Sequence, residues 1–403
     1  MLSEQSAATV RATLPAVGAA IGDITERFYG RLFAARPELL RDLFNRGNQA
    51  AGTQKQALAG SIAAFATHLV DNPEQRPDLM LRRIAHKHAS LGIRPEQYPI
   101  VHEHLFAAIA EVLGEAVTEE VAAAWTEVYW LMANALIAIE RTLYARSEED
   151  GPREWKVVER IDETADVATF RLRPADDGPV PAYRAGQYVS VGVRLADGAR
   201  QIRQYSLTAA PGSPVRQFAV KRVPGDALTP EGEVSNHLHA HVRVGDVLEL
   251  SAPYGDLVLE DTDAPLLLAS AGIGVTPMIA MLEQLSLGEH AGRVTVVHAD
   301  RSPTAHALRG DHAAYAAKLA DGEAVFFYEE DAEGAGRPGL VDLGAVEVAP
   351  GTVAYLCGPL PFMRVVREQL LRKGVAAADI HYEVFGPDLW LAKDAGVDVT
   401  AAA

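Results

Sequence analysis

The stretch PLLLASAGIGVTPMIAMLEQL, residues 265–285, predicts a buried strand, a glycine turn and a helix. Gly272 and Gly274 form the turn, and Thr276 as N-cap with Pro277 at the first helical position predicts where the helix begins. A turn of this kind aims free backbone N–H groups at an anion. The stretch therefore favours an α/β unit that binds a nucleotide.

The strand that follows this helix adds a second signal, because the G-x-G pair lacks the third glycine of the usual dinucleotide motif. The strand VTVVHAD ends at Asp300, where a carboxylate suits a ribose 2′-hydroxyl. Arg301 comes next, and its guanidinium suits a 2′-phosphate equally well. A solvated loop is the alternative for both. We expect NADH, with NADPH as the alternative, because the carboxylate of Asp300 repels a 2′-phosphate.

Outward from this unit, the 403 residues divide into three parts with different patterns. Residues 1–146 have helical periodicity, and the acidic Gly-Pro stretch 147–154 predicts a linker. Short alternating segments in 155–262 indicate β-structure, while apolar strands alternate with helices in 263–403. The predicted fold class is multidomain: all-α, then β, then α/β with a parallel sheet.

Composition excludes several classes of partner and cofactor. The net charge of -17, with no basic cluster, argues against nucleic acid or an anionic membrane as partner. The single Cys357 excludes an intramolecular disulfide, a cysteine zinc site and a cysteine-ligated iron–sulfur cluster within one chain. The amino terminus lacks the pattern of a signal peptide, and no uncharged run has the length of a membrane span. We expect a cytoplasmic monomer.

The middle third contains GQY at 186–188, RQYS at 203–206 and GEVSNHL at 232–238. Arginine binds a pyrophosphate bidentately, tyrosine offers a flat face to a flavin ring, and a G-x-x-S turn presents N–H groups to phosphates. A half-buried strand aromatic is the alternative for Tyr205, and a surface charge is the alternative for Arg203. The candidate residues are Tyr188, Arg203, Gln204, Tyr205, Ser206, Gly232, Val234 and Ser235.

In chain order, R-x-Y-S, G-x-x-S-x-x-L, G-x-G-x-T-P, C-G-P at 357–359 and E-x-F-G-P at 383–387 resemble the ferredoxin-NADP reductase superfamily over about 155–390. The resemblance implies an antiparallel β-barrel that binds FAD, an α/β domain that binds NAD(P)H, and Phe385 near the flavin. With one cysteine the chain lacks the iron–sulfur outlet of some relatives. The resemblance adds as cofactor-binding residues Ile273, Val275, Cys357, Gly358, Pro359, Phe385, Gly386, Pro387 and Asp388.

The helical part contains RRIAHKHASLG at 82–92, with two histidines two positions apart. At 100° per residue, His88 falls on the apolar stripe of Leu81, Ile84 and Leu91, whereas His86 points away from it. A hydrogen-bonded core histidine is the alternative to a ligand for His88. Other histidines compete for a ligand role, and they are His68, His102 and His104.

ITERFYGRLF, FNRGNQ, the histidine helix and PEQY resemble the globin half of bacterial flavohaemoglobins, and with the reductase half the resemblance covers nearly the whole chain. It implies haem b with His88 as the proximal iron ligand and Tyr98 and Glu140 as the partners of that histidine. It also implies Tyr29 and Gln54 as the distal pair that hydrogen-bonds oxygen. Phe44 and Leu58 match residues against the haem. Without the resemblance, Tyr29 is also consistent with the core, and Gln54 and Glu140 with the surface.

The resemblance implies a nitric oxide dioxygenase, in which NAD(P)H reduces FAD, FAD reduces the haem, and NO and O2 are converted to nitrate. A haem-linked NAD(P)H oxidase or peroxide reductase is an alternative, because the same pocket serves both reactions. An oxygen or NO sensor is a further alternative, although a complete reductase is more than a sensor needs. A partner ferredoxin as electron acceptor is disfavoured by the fused globin. The expected small-molecule partners are O2, NO and NAD(P)H.

Overall fold

The computed structural model describes residues 2–50, 52–147, 149, 151–225, 230–288 and 290–386, without the side chains of 53–57 and 59. Three of the predicted site residues are affected. Pro387 and Asp388 lie outside the described residues, and the side chain of Gln54 does too.

The first part of the chain is helical, as predicted. Pro37 begins the second helix, where its missing N–H costs no hydrogen bond, and the Thr118 side chain caps the seventh. The helices are α1 Glu4–Ala35, α2 Pro37–Asp42, α3 Arg46–Ala50, α4 Thr53–Asp71, α5 Asp78–Leu91, α6 Tyr98–Leu113 and α7 Glu119–Arg146.

These helices share one apolar core. Helix α1 packs against α4, α6 and α7, and α5 packs against α7. Fully buried side chains such as Ile24, Leu81 and Ala108 fill the space between them. Within the described ranges, α7 is the one helix whose length and apolar composition would let it cross a membrane. A helix in the core of a helical bundle has the same length and composition, and α7 packs against α1 and α5.

The second part is an antiparallel sheet that closes on itself. Its strands pair in the order β4-β3-β6-β1-β2-β5. A bridge between Leu207 and Phe218 joins its two edges, where the Thr208 N–H donates to the Gln217 carbonyl at 2.8 Å. The predicted barrel is therefore present. The strands are β1 Arg153–Asp162, β2 Val167–Pro174, β3 Tyr188–Arg194, β4 Arg200–Ser206, β5 Arg216–Lys221 and β6 Val247–Leu250, and helix α8 is Glu233–His241.

The linker was predicted to end at residue 154, but β1 begins at Arg153, inside it. The register explains this early start. Arg153 and Glu154 already pair with Leu250 and Glu249 of β6, so their backbone belongs to the ladder. Glu149 of the linker forms an ion pair with Arg216 of β5, and both side chains are almost fully buried.

The third part is a parallel sheet in the order β10-β9-β8-β7-β11-β12. Strands β8, β9 and β10 follow one another on one side of β7, and β11 and β12 then lie on the other side of β7. Ligands of open α/β sheets bind at such a reversal point, beyond the carboxyl ends of the strands. The elements are β7 Leu266–Ala271, α9 Val275–Leu287, β8 Val294–Asp300, α10 Arg309–Ala316, β9 Gly322–Tyr328, β10 Arg337–Pro338, β11 Val353–Cys357, α11 Leu360–Arg372 and β12 Ile380–Glu383.

The helical part and the barrel are joined by hydrogen bonds from Gln201 of β4, whose side chain is only 1% exposed. Its Nε2 donates to the carbonyls of Arg41 at 3.0 Å and Phe44 at 3.2 Å, near the end of α2. Arg46 then pairs with Glu233 at 2.6 Å, at the start of α8. The end of α2, where Phe44 lies, is thereby fixed against the barrel.

Gln201→Leu should lower the free energy of unfolding by about 1–3 kcal/mol, because the carbonyls that Gln201 satisfies stay buried without a donor. Urea denaturation followed by circular dichroism measures this change. The exposed Gln284→Leu is the matched control and should stay within about 0.5 kcal/mol of the wild type. An equal effect of the two substitutions would contradict the assigned role.

Candidate functional site

The centre of the helical part is a hydrogen-bonded group of three side chains from three helices. His88 Nδ1 lies 2.8 Å from Glu140 Oε1 and 3.0 Å from the Tyr98 hydroxyl. The Tyr98 hydroxyl donates to the same Glu140 oxygen at 2.6 Å. Glu140 is 1% exposed, so the solvated alternative for this residue does not hold. Burial, followed by the neighbouring carboxylate, raises the pKa of Tyr98 and keeps its hydroxyl protonated.

This arrangement fixes which nitrogen of His88 is available. A carboxylate that accepts the Nδ1 proton sets the tautomer and leaves Nε2 as a lone-pair donor. No described residue hydrogen-bonds Nε2 of His88, and the side chain is 32% exposed. His88 therefore has the geometry of a metal ligand whose orientation is set by Glu140.

The three competing histidines of the helical part lack this arrangement in the described structure. His68 Nε2 is 2.9 Å from the Gln75 carbonyl oxygen. His102 stacks on Phe106 with ring centroids 4.2 Å apart, and burial lowers its pKa. Neither His102 nor His104 has a carboxylate within hydrogen-bonding distance among the described residues. His88 alone of the four combines an apolar helix face with a buried carboxylate.

Tyr29 lies in an aromatic cluster on α1. Its ring is 5.5 Å from that of Phe33 and 5.9 Å from that of Phe44, and 4% of the residue is exposed. Burial raises the pKa of Tyr29, so its hydroxyl stays a neutral donor. The side-chain amide nitrogen of Gln49, a residue that the sequence did not single out, is buried without a hydrogen-bond partner among the described residues. Leu58 packs against the same helical core, whereas the side chain of Gln54 is outside the description.

Helix α5 also faces the barrel, which provides a partner for His86. His86 was predicted to point away from the helical core, and it does, but towards a second domain. Its Nδ1 accepts a hydrogen bond from the Gly255 N–H at 2.9 Å. The adjacent Lys87 donates to Gln204 of β4, and burial lowers the pKa of this lysine to about 8. Ala89 packs against Tyr188 of β3. One helix thus contacts both domains.

The candidate flavin residues lie along β4 and at the start of α8. The Tyr205 ring stacks on Phe218, with centroids 5.4 Å apart and an angle of 17°. Arg203 Nη1 donates to the Ile202 carbonyl at 2.8 Å, and burial lowers the pKa of this guanidinium. Ser206 is also buried. The side chains at this edge of the barrel are therefore held by packing and hydrogen bonds, with Arg203 and Tyr205 half-buried and Ser206 buried.

The G-x-x-S turn is built as its sequence requires. Gly232 is the N-cap of α8, and a Cβ there would lie 2.6 Å from Ser235 Oγ. Ser235 Oγ accepts from the Val223 N–H at 3.1 Å, and Val234 is fully buried. The first N–H groups of α8 consequently face outward from a closely packed turn, which suits a phosphate.

The glycine turn after β7 lies where it was predicted, but the helix that follows it begins earlier than predicted. Gly272–Gly274 forms a short 3₁₀ turn, and Gly274, not Thr276, is the N-cap of α9. The turn already sets the helical path, so Thr276 lies within the first turn and its hydroxyl donates to the Ile273 carbonyl at 2.9 Å. Pro277 is then at the third helical position, where a backbone N–H has no partner within the helix either. Val275 is the first helical residue and is fully buried.

The two glycine turns of the third domain meet at the reversal point of its sheet. A Cβ on Gly274 would lie 2.3 Å from the Cys357 carbonyl oxygen, which only glycine permits. Gly358 lies against the Ala271 backbone in the same way, and Pro359 is the N-cap of α11. Cys357 itself is fully buried. Backbone groups from β7 and β11 therefore line the same edge.

Two predicted cofactor residues are placed differently from the others. The Asp300 side chain is only 7% exposed, accepts from the Arg301 N–H at 2.8 Å, and lies 3.5 Å from His298 Nε2. It faces inward in this structure. Phe385 is 47% exposed and follows β12, whose Glu383 pairs in register with Cys357, and Gly386 comes directly after it. The aromatic ring thus lies beyond the edge that the glycine turns form.

Three family models match the chain: Globin over residues 26–136, Oxidoreductase FAD-binding domain over 154–259 and Oxidoreductase NAD-binding domain over 268–368. The flavohemoprotein of Chromobacterium violaceum is 44% identical, over 96% of this chain and 98% of that protein. The flavohemoprotein of Rhizobium meliloti is 42% identical, over 97% and 100%.

The chain belongs to the flavohemoprotein family. Among solved structures, the flavohemoglobin of Malassezia yamatoensis, with bound FAD and heme, superposes with a TM-score of 0.89 at 38% identity. The match covers 96% of this chain and all of that one. The FAD/NAD binding domain of the nitric oxide dioxygenase from Vibrio cholerae is 38% identical, has a TM-score of 0.55, and covers 59% of this chain and all of that one.

The described residues fit the cofactors of a flavohemoprotein. An imidazole with its Nδ1 bound to a buried carboxylate and its Nε2 available suits haem iron. The half-buried aromatic and polar side chains of β4 and the start of α8 suit a flavin and its phosphates. The sequence missed Lys87 and the contact of His86 with Gly255, since both depend on what the neighbouring domain places beside α5.

His88→Ala should leave FAD content unchanged and lower the haem-to-protein ratio by about tenfold or more, since loss of a ligand costs at least as much as loss of its hydrogen-bond partner. His86→Ala should keep the haem and instead loosen the contact with Gly255, which urea denaturation reports. Haem and flavin absorbance after desalting measures both contents. Loss of haem from the His86 variant with retention in the His88 variant would reverse the assignment.

Proposed function

We propose that this flavohemoprotein is an NAD(P)H-dependent nitric oxide dioxygenase that oxidises NO with O2 to nitrate. The observation that supports it most directly is helix α5, which carries His88 into the helical core and Lys87 and His86 onto the barrel. A candidate haem ligand and the candidate flavin edge are thus attached to one rigid element. The match to a domain of the Vibrio cholerae enzyme supports the same reaction.

FAD, when bound, divides the two electrons of a hydride into single electrons, and haem iron, when bound, supplies the one-electron and oxygen chemistry of the reaction. His88 would hold the haem through Nε2, and Glu140 orients His88 by accepting its Nδ1 proton in a hydrogen bond. The buried carboxylate makes the imidazole a stronger electron donor. Such a proximal side favours oxygen activation over simple oxygen storage.

Tyr29, in the aromatic cluster with Phe33 and Phe44, is the residue that we assign as a hydrogen-bond donor to oxygen. Its raised pKa means that the hydroxyl is protonated throughout the working pH range. We place Gln54 beside it as the second donor and Phe44 and Leu58 as apolar contacts that exclude water. Positioned donors in an apolar pocket stabilise developing negative charge more than they do in water.

In the reductase half, Tyr205 and Tyr188 present flat rings, and Arg203, Ser206 and the start of α8 bind the polar parts of FAD. Gln204 links the flavin edge to Lys87 of the globin part. The turn Gly272–Gly274, the segment Cys357–Pro359 and Phe385 form the entry for the nicotinamide. We assign NADH as the preferred reductant, with Asp300 turning outward to the ribose. A cytoplasmic monomer completes the proposal.

Addition of NO to the purified protein with NADH in air tests the function. Each NO converted to nitrate consumes one electron from the protein, and NADH delivers two, so about two NO should disappear per NADH after subtraction of the rate without NO. An NO electrode, NADH absorbance and a nitrate assay measure the three quantities. If NADH oxidation were equally fast with and without NO and produced no nitrate, the protein would be an oxidase instead.

Tyr29→Phe should speed the release of oxygen about tenfold, because a donor hydrogen bond worth about 1–1.5 kcal/mol is lost. Stopped-flow or flash-photolysis kinetics on the reduced protein measure the dissociation rate. Tyr129→Phe is the matched control, since the Tyr129 hydroxyl donates to the Tyr98 carbonyl at 2.6 Å and does not belong to the Tyr29 cluster. Unchanged release from the Tyr29 variant would remove this residue from the oxygen site.

A further inference from the structure

Three histidines with no part in the proposed reaction lie together at the carboxyl end of β8. His298 belongs to that strand, His306 to the loop after it, and His312 to α10. Their exposed fractions are 0%, 3% and 0%. Burial of three imidazoles in one place is unfavourable unless their nitrogens have partners.

Two of these rings each have one nitrogen hydrogen-bonded to a side chain from a neighbouring strand. The Ser270 hydroxyl lies 2.8 Å from His298 Nδ1, and the Tyr328 hydroxyl lies 2.8 Å from His306 Nδ1. In protein metal sites, the nitrogen that does not bind the metal is held by such a partner. The two Nε2 atoms are thereby directed to the interior of the cluster.

The remaining nitrogens are incompletely satisfied. His298 Nε2 and His312 Nε2 are buried without a hydrogen-bond partner among the described residues, although the Asp300 carboxylate is 3.5 Å from the former. His306 Nε2 and His312 Nδ1 form a hydrogen bond with each other. The cluster therefore has two buried nitrogens without a partner and one pair of nitrogens that satisfy each other, among the described residues.

We propose that His298, His306 and His312 bind a zinc ion, and that the Asp300 carboxylate, which lies beside His298 but outside the group of three, turns towards the ion as the fourth ligand. One nitrogen from each histidine lies within 4.8 Å of the others. Zinc–nitrogen distances of about 2.0–2.1 Å in a tetrahedron place ligand nitrogens roughly 3.3 Å apart. The hydrogen-bonded His306 Nε2 and His312 Nδ1 are 3.1 Å apart, so an ion bound by both nitrogens would replace this hydrogen bond. Neutral imidazoles with a carboxylate form a ligand set suited to zinc.

Binding requires one adjustment in the cluster. The rings of His298 and His306 are stacked, with centroids 3.8 Å apart and an angle of 20° between planes, so an ion cannot lie in both planes at once. The terminal torsion of a histidine is soft, and rotation of one ring brings its nitrogen to the ion. The plane of the His312 ring lies at 76° to that of the His298 ring, so the His312 ring is not stacked and does not have to rotate for this reason.

The site would act on the reductase through Asp300. A carboxylate that binds zinc is no longer available to the ribose hydroxyl, so zinc should raise the KM for NADH. This consequence rests on the proposed function and on the role given to Asp300, whereas zinc binding itself does not. The two parts of the inference are therefore tested by different measurements.

Equilibrium dialysis of the complete protein against micromolar zinc, after treatment with a chelator, tests the binding. Elemental analysis should find one zinc ion per chain that His312→Phe or His298→Gln weakens by at least about tenfold. The matched control is His237→Ala/His241→Ala, which removes a solvent-accessible pair with ring centroids 5.1 Å apart on α8. Zinc lost only from this control would overturn the site, as would equal retention in all variants.

X-ray absorption at the zinc edge of the wild type needs no variant and is insensitive to haem iron. It should show three imidazole nitrogens at about 2.0 Å, and a sulfur ligand or a single imidazole would overturn the proposal. Haem and flavin absorbance shows whether each variant has folded. Zinc should raise the KM for NADH in flavin reduction severalfold in the wild type and not in His312→Phe. An unchanged KM with zinc bound would overturn the ligand role of Asp300, whatever the activity with NO.

Discussion

The buried carboxylate of Glu140 is the interaction on which the helical part depends. Both His88 and Tyr98 hydrogen-bond to its Oε1, at 2.8 and 2.6 Å, so one oxygen connects α5, α6 and α7. A carboxylate at 1% exposure is unfavourable unless it is partnered, and here the partners are functional side chains. The geometry that stabilises Glu140 is therefore the same geometry that orients His88, and neither is separable from the packing of the three helices.

Helix α5 extends this constraint to the rest of the molecule. Because successive side chains on a helix rotate by about 100°, residues 86 to 89 point in different directions and contact different domains. His88 meets α7, while His86 and Lys87 meet the barrel. Any tilt of α5 that changed the position of His88 would also disrupt the contact with the flavin edge. Coupling between the two halves thus follows from rigid packing and requires no moving part.

Much of this was readable from the sequence, and the failures have physical causes. The change from helical to alternating to α/β patterns predicted the three parts, and helical periodicity selected His88 over His86. Periodicity shows on which face of a helix a residue lies, but it does not show what packs against that face. The sequence therefore could not predict that His86 contacts the barrel, or decide whether Glu140 is a partner of His88 or a surface residue. The start of α9 was misplaced because a 3₁₀ turn over Gly272–Gly274 precedes it, and no side-chain signal marks such a turn.

The histidine cluster is a second feature that depends on how the chain folds and that the sequence did not predict. His298, His306 and His312 are separated in sequence, and only the order of strands β7, β8 and β9 brings Ser270 and Tyr328 against them. Their burial cannot be explained by apolar packing, since each imidazole carries two nitrogens that need partners. The rings of His306 and His312 also pack against Phe326 and Tyr328, so the nitrogens and not the ring faces are what apolar packing leaves unexplained. The inward position of Asp300, between this cluster and the edge proposed for the dinucleotide, connects the proposed zinc site to the reductase.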